Sequence, residues 1–196
     1  MSYLETLAPE RAEGDVAAMY RRQEAHFGYL PNYARAFGHR PEVMSRWAAL
    51  QATIRRHVSP RRFELVTLAA ARALGNTYCA LAHARALAQL LGMDATLAVV
   101  ADEEGVLSEA ERAIMAFAAK VARRAPEVGA EDIATLRGHG LGDDEIFDIV
   151  AVVAARAFFT RLLDGLGVEA DAAFRELPDA LTGPLTVGRP IAMDSV

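Results

Sequence analysis

The sequence predicts an all-α protein, and three observations carry that prediction. Its 196 residues are 53% hydrophobic and visibly alanine-rich, a composition that favours packed helices over sheets. Apolar residues recur at helical spacing in one segment after another, with no stretch of strand-like alternation. Helix starts and stops, such as Ser59-Pro60, Gly75-Asn76 and Ser108 with Glu111, fall at intervals that suit helices. A chain of this length can bury a proper core.

Residues 1–9 read as an irregular lead-in. From about Pro9 to His26 the apolar Val16, Met19 and Tyr20 mark an amphipathic helix. Phe27 to Asn32, FGYLPN, is a loop with Tyr29 and Leu30 available to anchor it. A short helix follows and breaks at His39-Arg40-Pro41. Pro41 opens the next, through Val43, Met44, Trp47, Leu50 and Ile54. Ser59-Pro60 starts another, and Gly75-Asn76 ends it and caps its successor. Gly92 stops that run, with Asp94 expected to cap a short helix through Leu97 to Val100. Ser108 and Glu111 form a capping box for a helix to about Arg124, closed by Pro126. A helix near Glu131–Arg137 precedes GHGLGDD, and Asp143 or Asp144 starts a long apolar helix ending near Gly165. Residues 1–177 are thus expected to form one all-α domain, with a helical unit around 41–104 and a second around 108–166. Residues 178–196, rich in proline and glycine, are expected to be an extended tail draped over this subunit or a neighbour.

One internal echo crosses the two units. Phe63 to Ala73, FELVTLAAARA, aligns with Phe147 to Ala157, FDIVAVVAARA. Shared composition of two buried alanine-rich helices accounts for part of the match; a duplicated helical unit is the sharper reading. On this alignment Cys79 falls opposite Leu163, so only the first copy retains chemistry.

The formal net charge of −5 and the absence of a basic block give no support for nucleic-acid binding. Lys120 is the only lysine, a compositional habit. The single cysteine excludes an intrachain disulfide, and a reducing cytoplasm is the expected location. The N-terminal segment has charges where a signal peptide needs an apolar run, and no apolar stretch approaches a membrane span.

The chemistry-bearing stretch is Phe63 to Leu91, which holds Cys79, His83 and Glu64. Cys79 and His83, four residues apart, share a helix face one turn apart, within reach of a thiol–imidazole pair. On one unbroken helix Glu64 would lie about 22 Å from Cys79. A reversal at Gly75-Asn76 instead makes an antiparallel pair in which Glu64 meets His83. Asn76 as N-cap also puts Cys79 in the first turn, where the macrodipole favours a thiolate.

Each candidate has a plainer reading. A lone cysteine is most often a small buried hydrophobe, and the plainer reading of Glu64 is a surface partner of Arg61 or Arg62. Against that, Phe63, Leu65, Val66 and Leu68 indicate a buried helix, where an acid needs a partner. Asn76 is chiefly a cap and Tyr78 chiefly packing, each with a weak expectation of substrate contact. His57 is expected at the surface, and His26, His39 and His139 have no ligand spacing. Cys79, His83 and His57 make a poor metal signature, so neither a metal nor another cofactor is expected. Arg72 and Arg156, matched in the echo, are expected to pair with acids between helices.

FELVTLAAARALGNTYCALAH, the GYLPN loop followed by the RPEV helix, and DIVAVVAARAFFTRLLDGLGVE together resemble the alkylhydroperoxidase D-like branch of the carboxymuconolactone decarboxylase superfamily, and within it the peroxidase-related proteins. The resemblance spans most of the chain and implies an alkylhydroperoxidase D-like helical fold and homo-oligomers. The family pattern is a glutamate, then Cys-x-x-Cys-x-x-x-His. By resemblance Glu64 matches the proton-relay acid, Cys79 the second, peroxide-attacking cysteine, and His83 the histidine. Asn76 stands where the first cysteine would be, and Tyr78 where some members have a histidine. A dithiol cycle cannot run within this chain.

The resulting expectation is a thiol peroxidase of one-cysteine type, reducing a small-molecule peroxide through Cys79 and recharged by an external thiol. The alternatives are a lactone-decarboxylase-like proton-transfer enzyme using His83 and Glu64, or an oligomeric binding protein that has lost the reaction. In each case the protein is expected to associate with itself, as a dimer or larger.

Overall fold

The computed structural model describes residues 2–193. Ten α-helices follow in order: α1 Gly14–Phe27, α2 Asn32–Phe37, α3 Pro41–Arg55, α4 Pro60–Leu74, α5 Thr77–Leu91, α6 Met93–Val100, α7 Glu109–Arg124, α8 Ala130–Gly138, α9 Asp143–Gly165 and α10 Asp179–Leu185. Short 3-10 turns lie at Pro9–Arg11, Ala125–Glu127 and Ala172–Glu176. The described residues form no strand, only one isolated bridge between Ala170 and Ile191. The architecture is the all-α one that the sequence predicts, and none of the helices is long and apolar enough to cross a membrane.

Helix α4 is central and packs against α5, α7 and α9. Its residues serve two cores at once. Leu65, Leu68 and Ala71 join the core around α5, the N-terminal helices and the C-terminal segment. Phe63, Val66, Ala69 and Ala70 join a second core with α7, α8 and α9. A helix buried on nearly every side has little room for an ionisable residue, so the placement of Glu64 on it has consequences.

The reversal after α4 forms as its residues dictate. Gly75 adopts φ +71°, and its N–H meets Arg72 O at 3.1 Å while Asn76 N–H meets Ala71 O at 3.0 Å. This closing pattern satisfies the last carbonyls of α4 and is open to glycine at no steric cost. Asn76 then caps α5, its Oδ1 accepting the Cys79 N–H at 2.8 Å. The Ser108–Glu111 capping box of α7 is also present.

Four expectations are corrected. The first helix begins at Gly14 rather than Pro9, because Ala12 and Glu13 are extended. Gly92, not Asp94, precedes α6, and Asp94 lies in its first turn. On α3 the inward position is Gln51, while Leu50 is exposed. The tail is not uniformly extended: residues 179–185 fold as α10, with Leu181 and Leu185 fully buried against α5 and α6. The periodicity of Leu181 and Leu185, four residues apart, outweighs Gly183 and Pro184 once a core is there to receive them. Residues 186–193 drape over this subunit, and residues 194–196 lie outside the described residues. The Gly188 N–H meets Thr77 Oγ1 at 2.9 Å and Arg189 Nη2 meets Asp164 O at 2.9 Å.

The echo between α4 and α9 does not extend to burial. Phe63 is 2% exposed and its counterpart Phe147 71%. Phe147, Val150 and Phe158 stand exposed on α9, and Leu50 stands exposed on α3. Between these two helices runs a groove of about 650 Å³, lined by Val43, Trp47, Leu50, Ile54, Ala154 and Phe158 among others.

Candidate functional site

The antiparallel α4–α5 pair brings Glu64 and His83 together. Glu64 Oε2 and His83 Nδ1 are 2.5 Å apart across a separation of 19 residues. Glu64 is buried, and its other oxygen lies 3.6 Å from Arg55 Nη2, whose guanidinium also sits over the Phe63 ring. Arg61 and Arg62, the surface partners available by sequence, turn instead to Glu111 and Glu145.

His83 is pushed down to about 4, first by burial and then by the Arg156 charge, against the upward pull of Glu64. It is therefore a neutral imidazole near pH 7. A neutral ring facing a carboxylate carries its hydrogen on Nδ1, which leaves Nε2 as a proton acceptor. Glu64 fixes that tautomer.

Cys79 lies one helical turn before His83 and is 1% exposed. The macrodipole alone suggests a lowered thiol pKa, and here the structure corrects the sequence. Burial pushes the thiol up, opposed by the positive charge and hydrogen bond of Arg156, with the Asp164 carboxylate adding a smaller upward push. Desolvating a thiolate costs more than one helix terminus returns.

Arg156 is the residue that sequence reasoning misplaced. Among the described residues it pairs with no acid. Its Nη1 is 3.8 Å from Cys79 Sγ, and its guanidinium lies 5.4 Å from the Trp47 ring and 5.5 Å from the Phe159 ring. It is 6% exposed, and its Nε has no hydrogen-bond partner. A signal was available in the sequence: from Val152 to Thr160 no acid lies within a turn of Arg156 on α9. Its echo partner Arg72 hydrogen-bonds to Val100 O.

Asn76 and Tyr78, weakly expected to touch substrate, are both engaged by the protein. Besides capping α5, Asn76 donates from Nδ2 to Asp164 Oδ1 at 2.8 Å. The Tyr78 hydroxyl donates to Asp171, and its ring sits between Tyr33 and Phe174. Asp171 also accepts the Tyr29 hydroxyl at 3.1 Å and the Asn32 N–H at 2.7 Å. Its buried carboxylate thereby ties the GYLPN loop to α5. No local pattern foretells this, since Asp171 lies 139 residues from Asn32. His57 is exposed, as expected.

Residues 41–95, which include Glu64, Cys79 and His83, match the model of the carboxymuconolactone decarboxylase family. No curated protein matches the chain. Several solved structures share its fold. An uncharacterized peroxidase-related protein with an alkylhydroperoxidase AhpD core, from Ralstonia eutropha JMP134, is 22% identical with a TM-score of 0.74, covering 88% of this chain and 94% of its own. A peroxidase-related protein from Silicibacter sp. TM1040 is 21% identical with a TM-score of 0.76, covering 89% and 94%. The debrominase Bmp8 is 20% identical with a TM-score of 0.74, covering 92% and 96%. The matched segment lies on the helices that hold Glu64, Cys79 and His83, and the fold around it is similar to that of the alkylhydroperoxidase D-like, peroxidase-related proteins of known structure.

Proposed function

We propose that the protein is a thiol peroxidase of one-cysteine type, with Cys79 as nucleophile, His83 as base and Glu64 as the acid that orients and polarises it. The observation that carries this reading is the Glu64–His83 contact of 2.5 Å, formed across the turn and one helical turn from the only sulfur nucleophile. The neutral His83 takes the thiol proton, and Arg156 holds the resulting thiolate. The thiolate attacks the distal oxygen of a hydroperoxide, the O–O bond breaks, and the leaving oxygen takes a proton to depart as water or an alcohol. Cys79 is left as a sulfenic acid. One external thiol displaces water to give a mixed disulfide, and a second releases Cys79 as the thiol. With no other cysteine in the chain, the reductant comes from outside.

The test is to add peroxide and capture Cys79 with a sulfenic-acid reagent. Oxidation faster than that of a free cysteine, slowed by Glu64→Gln and His83→Ala, is the expected result; a rate no greater than free cysteine defeats the reading.

A second reading is proton transfer by His83 and Glu64 with Cys79 incidental. The match to the decarboxylase family model and the neutral state of His83 favour it. Cys79→Ser separates the two, since it abolishes peroxidase activity and spares proton transfer. In either case we propose self-association through the apolar face of α3 and α9 around Leu50, Phe147 and Phe158.

A further inference from the structure

We propose that Arg156 and Gln51 form a carboxylate-binding subsite beside Cys79, so that the site takes small electrophiles, hydroperoxides among them, that also carry an ionised carboxylate. The inference rests on Cys79 being the reacting sulfur, and it names what the rest of the substrate carries.

The first observation is the way Arg156 is used. Only Nη1 meets a partner, the sulfur at 3.8 Å. Nε is buried without an acceptor, and among the described residues Nη1 alone has a hydrogen-bond partner. Nε and Nη2 are the two parallel donors on the side-on edge of a guanidinium, the edge that receives both oxygens of a carboxylate. The edge away from the sulfur thus lacks a hydrogen-bond partner among the described residues, and its two donors have the geometry to receive one planar anion. The Trp47 and Phe159 rings hold the guanidinium plane in place. Among the described residues no Asp or Glu lies within ion-pair distance of it, whereas Arg61, Arg62 and Arg137 each have an acid. A buried cation without a counter-ion is costly to maintain. While Cys79 is a neutral thiol the charge has no counter-ion from the described residues, and a substrate carboxylate can supply one.

The second observation is independent and lies on another helix. Gln51 of α3 is 7% exposed, and both its Nε2 and its Oε1 are buried without a partner. On α3 it is flanked one turn away on either side by Trp47, beneath the Arg156 guanidinium, and by Arg55, which reaches Glu64. Gln51 thus occupies the stripe between the guanidinium and the Glu64–His83 pair. Its amide can donate to one carboxylate oxygen and accept from a hydroperoxide or hydroxyl group. One guanidinium and one neutral amide, with no lysine nearby, suit a monoanion with two oxygens better than a phosphate dianion.

Two alkylating reagents of nearly equal size test this, iodoacetate with its carboxylate and iodoacetamide without. The rate of Cys79 modification by each is followed by mass, in the wild type and in Arg156→Met, Arg156→Lys and Gln51→Leu. Any change in thiolate fraction affects both reagents alike, so the ratio of the two rates reports recognition of the carboxylate. The ratio is expected to fall about tenfold in Arg156→Met, the equivalent of one well-placed charge contact, and about threefold in Gln51→Leu. Arg156→Lys, which keeps the charge and loses the fork, should fall between wild type and Arg156→Met. Acetate should slow iodoacetate in the wild type and not in Arg156→Met. If neither reagent reaches Cys79, thermal unfolding in sodium acetate against sodium chloride takes their place, with acetate expected to raise the midpoint of the wild type alone. An equal ratio in wild type and Arg156→Met, or an acetate effect shared by both, overturns the subsite. Failure of the peroxide assay with the ratio intact would overturn the peroxidase reading and leave the subsite standing.

Discussion

Arg156 and Cys79 stand 77 residues apart in sequence, yet the guanidinium Nη1 of one lies 3.8 Å from the sulfur of the other. The contact joins α9 to the first turn of α5, and no acid among the described residues forms an ion pair with Arg156. Arg156 thereby opposes the upward push that burial gives the thiol, and it carries a stability cost.

Arg156→Met should accordingly make the protein more stable and its thiol less acidic. Replacing an uncompensated buried charge with an apolar side chain of similar reach is expected to add about 1–2 kcal/mol. The lost cation–π contacts with Trp47 and Phe159 subtract part of that gain. Urea unfolding gives the first quantity. The pH dependence of Cys79 alkylation gives the second, its midpoint moving further above the ordinary thiol value than in the wild type.

His83 provides a stability test at mildly acidic pH. Its folded-state value of about 4 lies below the 6.5 of the free side chain. The unfolded chain therefore binds a proton that the native state refuses between these values, and stability falls as pH drops through that window. It is fully present above about pH 6.5. His83→Gln removes the linkage, so the wild type should lose more stability than the variant between pH 6.5 and pH 5 in urea titrations.

Asn76→Cys creates a Cys-x-x-Cys spacing with Cys79. Loss of the Asn76 cap should cost about 1 kcal/mol of stability. In return, peroxide should produce an intramolecular disulfide in place of a lasting sulfenic acid, seen as a loss of two hydrogens by mass and of both free thiols.

Gly188→Ala tests whether the C-terminal strap supports the site. A Cβ there would meet Gly75 O at 1.9 Å, an atom of the very turn that separates α4 from α5. Backbone cannot yield as a flexible side chain does, so a loss of about 1–3 kcal/mol is expected. Faster alkylation of Cys79 should accompany it as the start of α5 loosens.

Phe147 and Phe158 test self-association. Phe158→Glu with Phe147→Glu should shift sedimentation toward monomer at micromolar concentration, with the helical circular dichroism unchanged because both side chains are exposed. A wild type that is already monomeric there rules out the proposed face.

Much of the fold was written locally. The helix pattern, the Gly75 stop, the Asn76 and Ser108 caps and the meeting of Glu64 with His83 follow from spacing and backbone chemistry over a few residues. Those forces act within one or two helical turns, so a linear reading captures them. What surrounds the sulfur was not legible in that way. Arg156 reaches Cys79 from α9, Gln51 rather than Leu50 turns inward on α3, Asp171 gathers Tyr29, Tyr78 and Asn32, and α10 forms on a core that receives Leu181 and Leu185. Burial and charge in a packed interior depend on which helices become neighbours, and that is decided by the whole hydrophobic core. The chain by itself determined which atoms can react; the tertiary structure decided how hard the thiol is to ionise, and which cation stands ready to hold it.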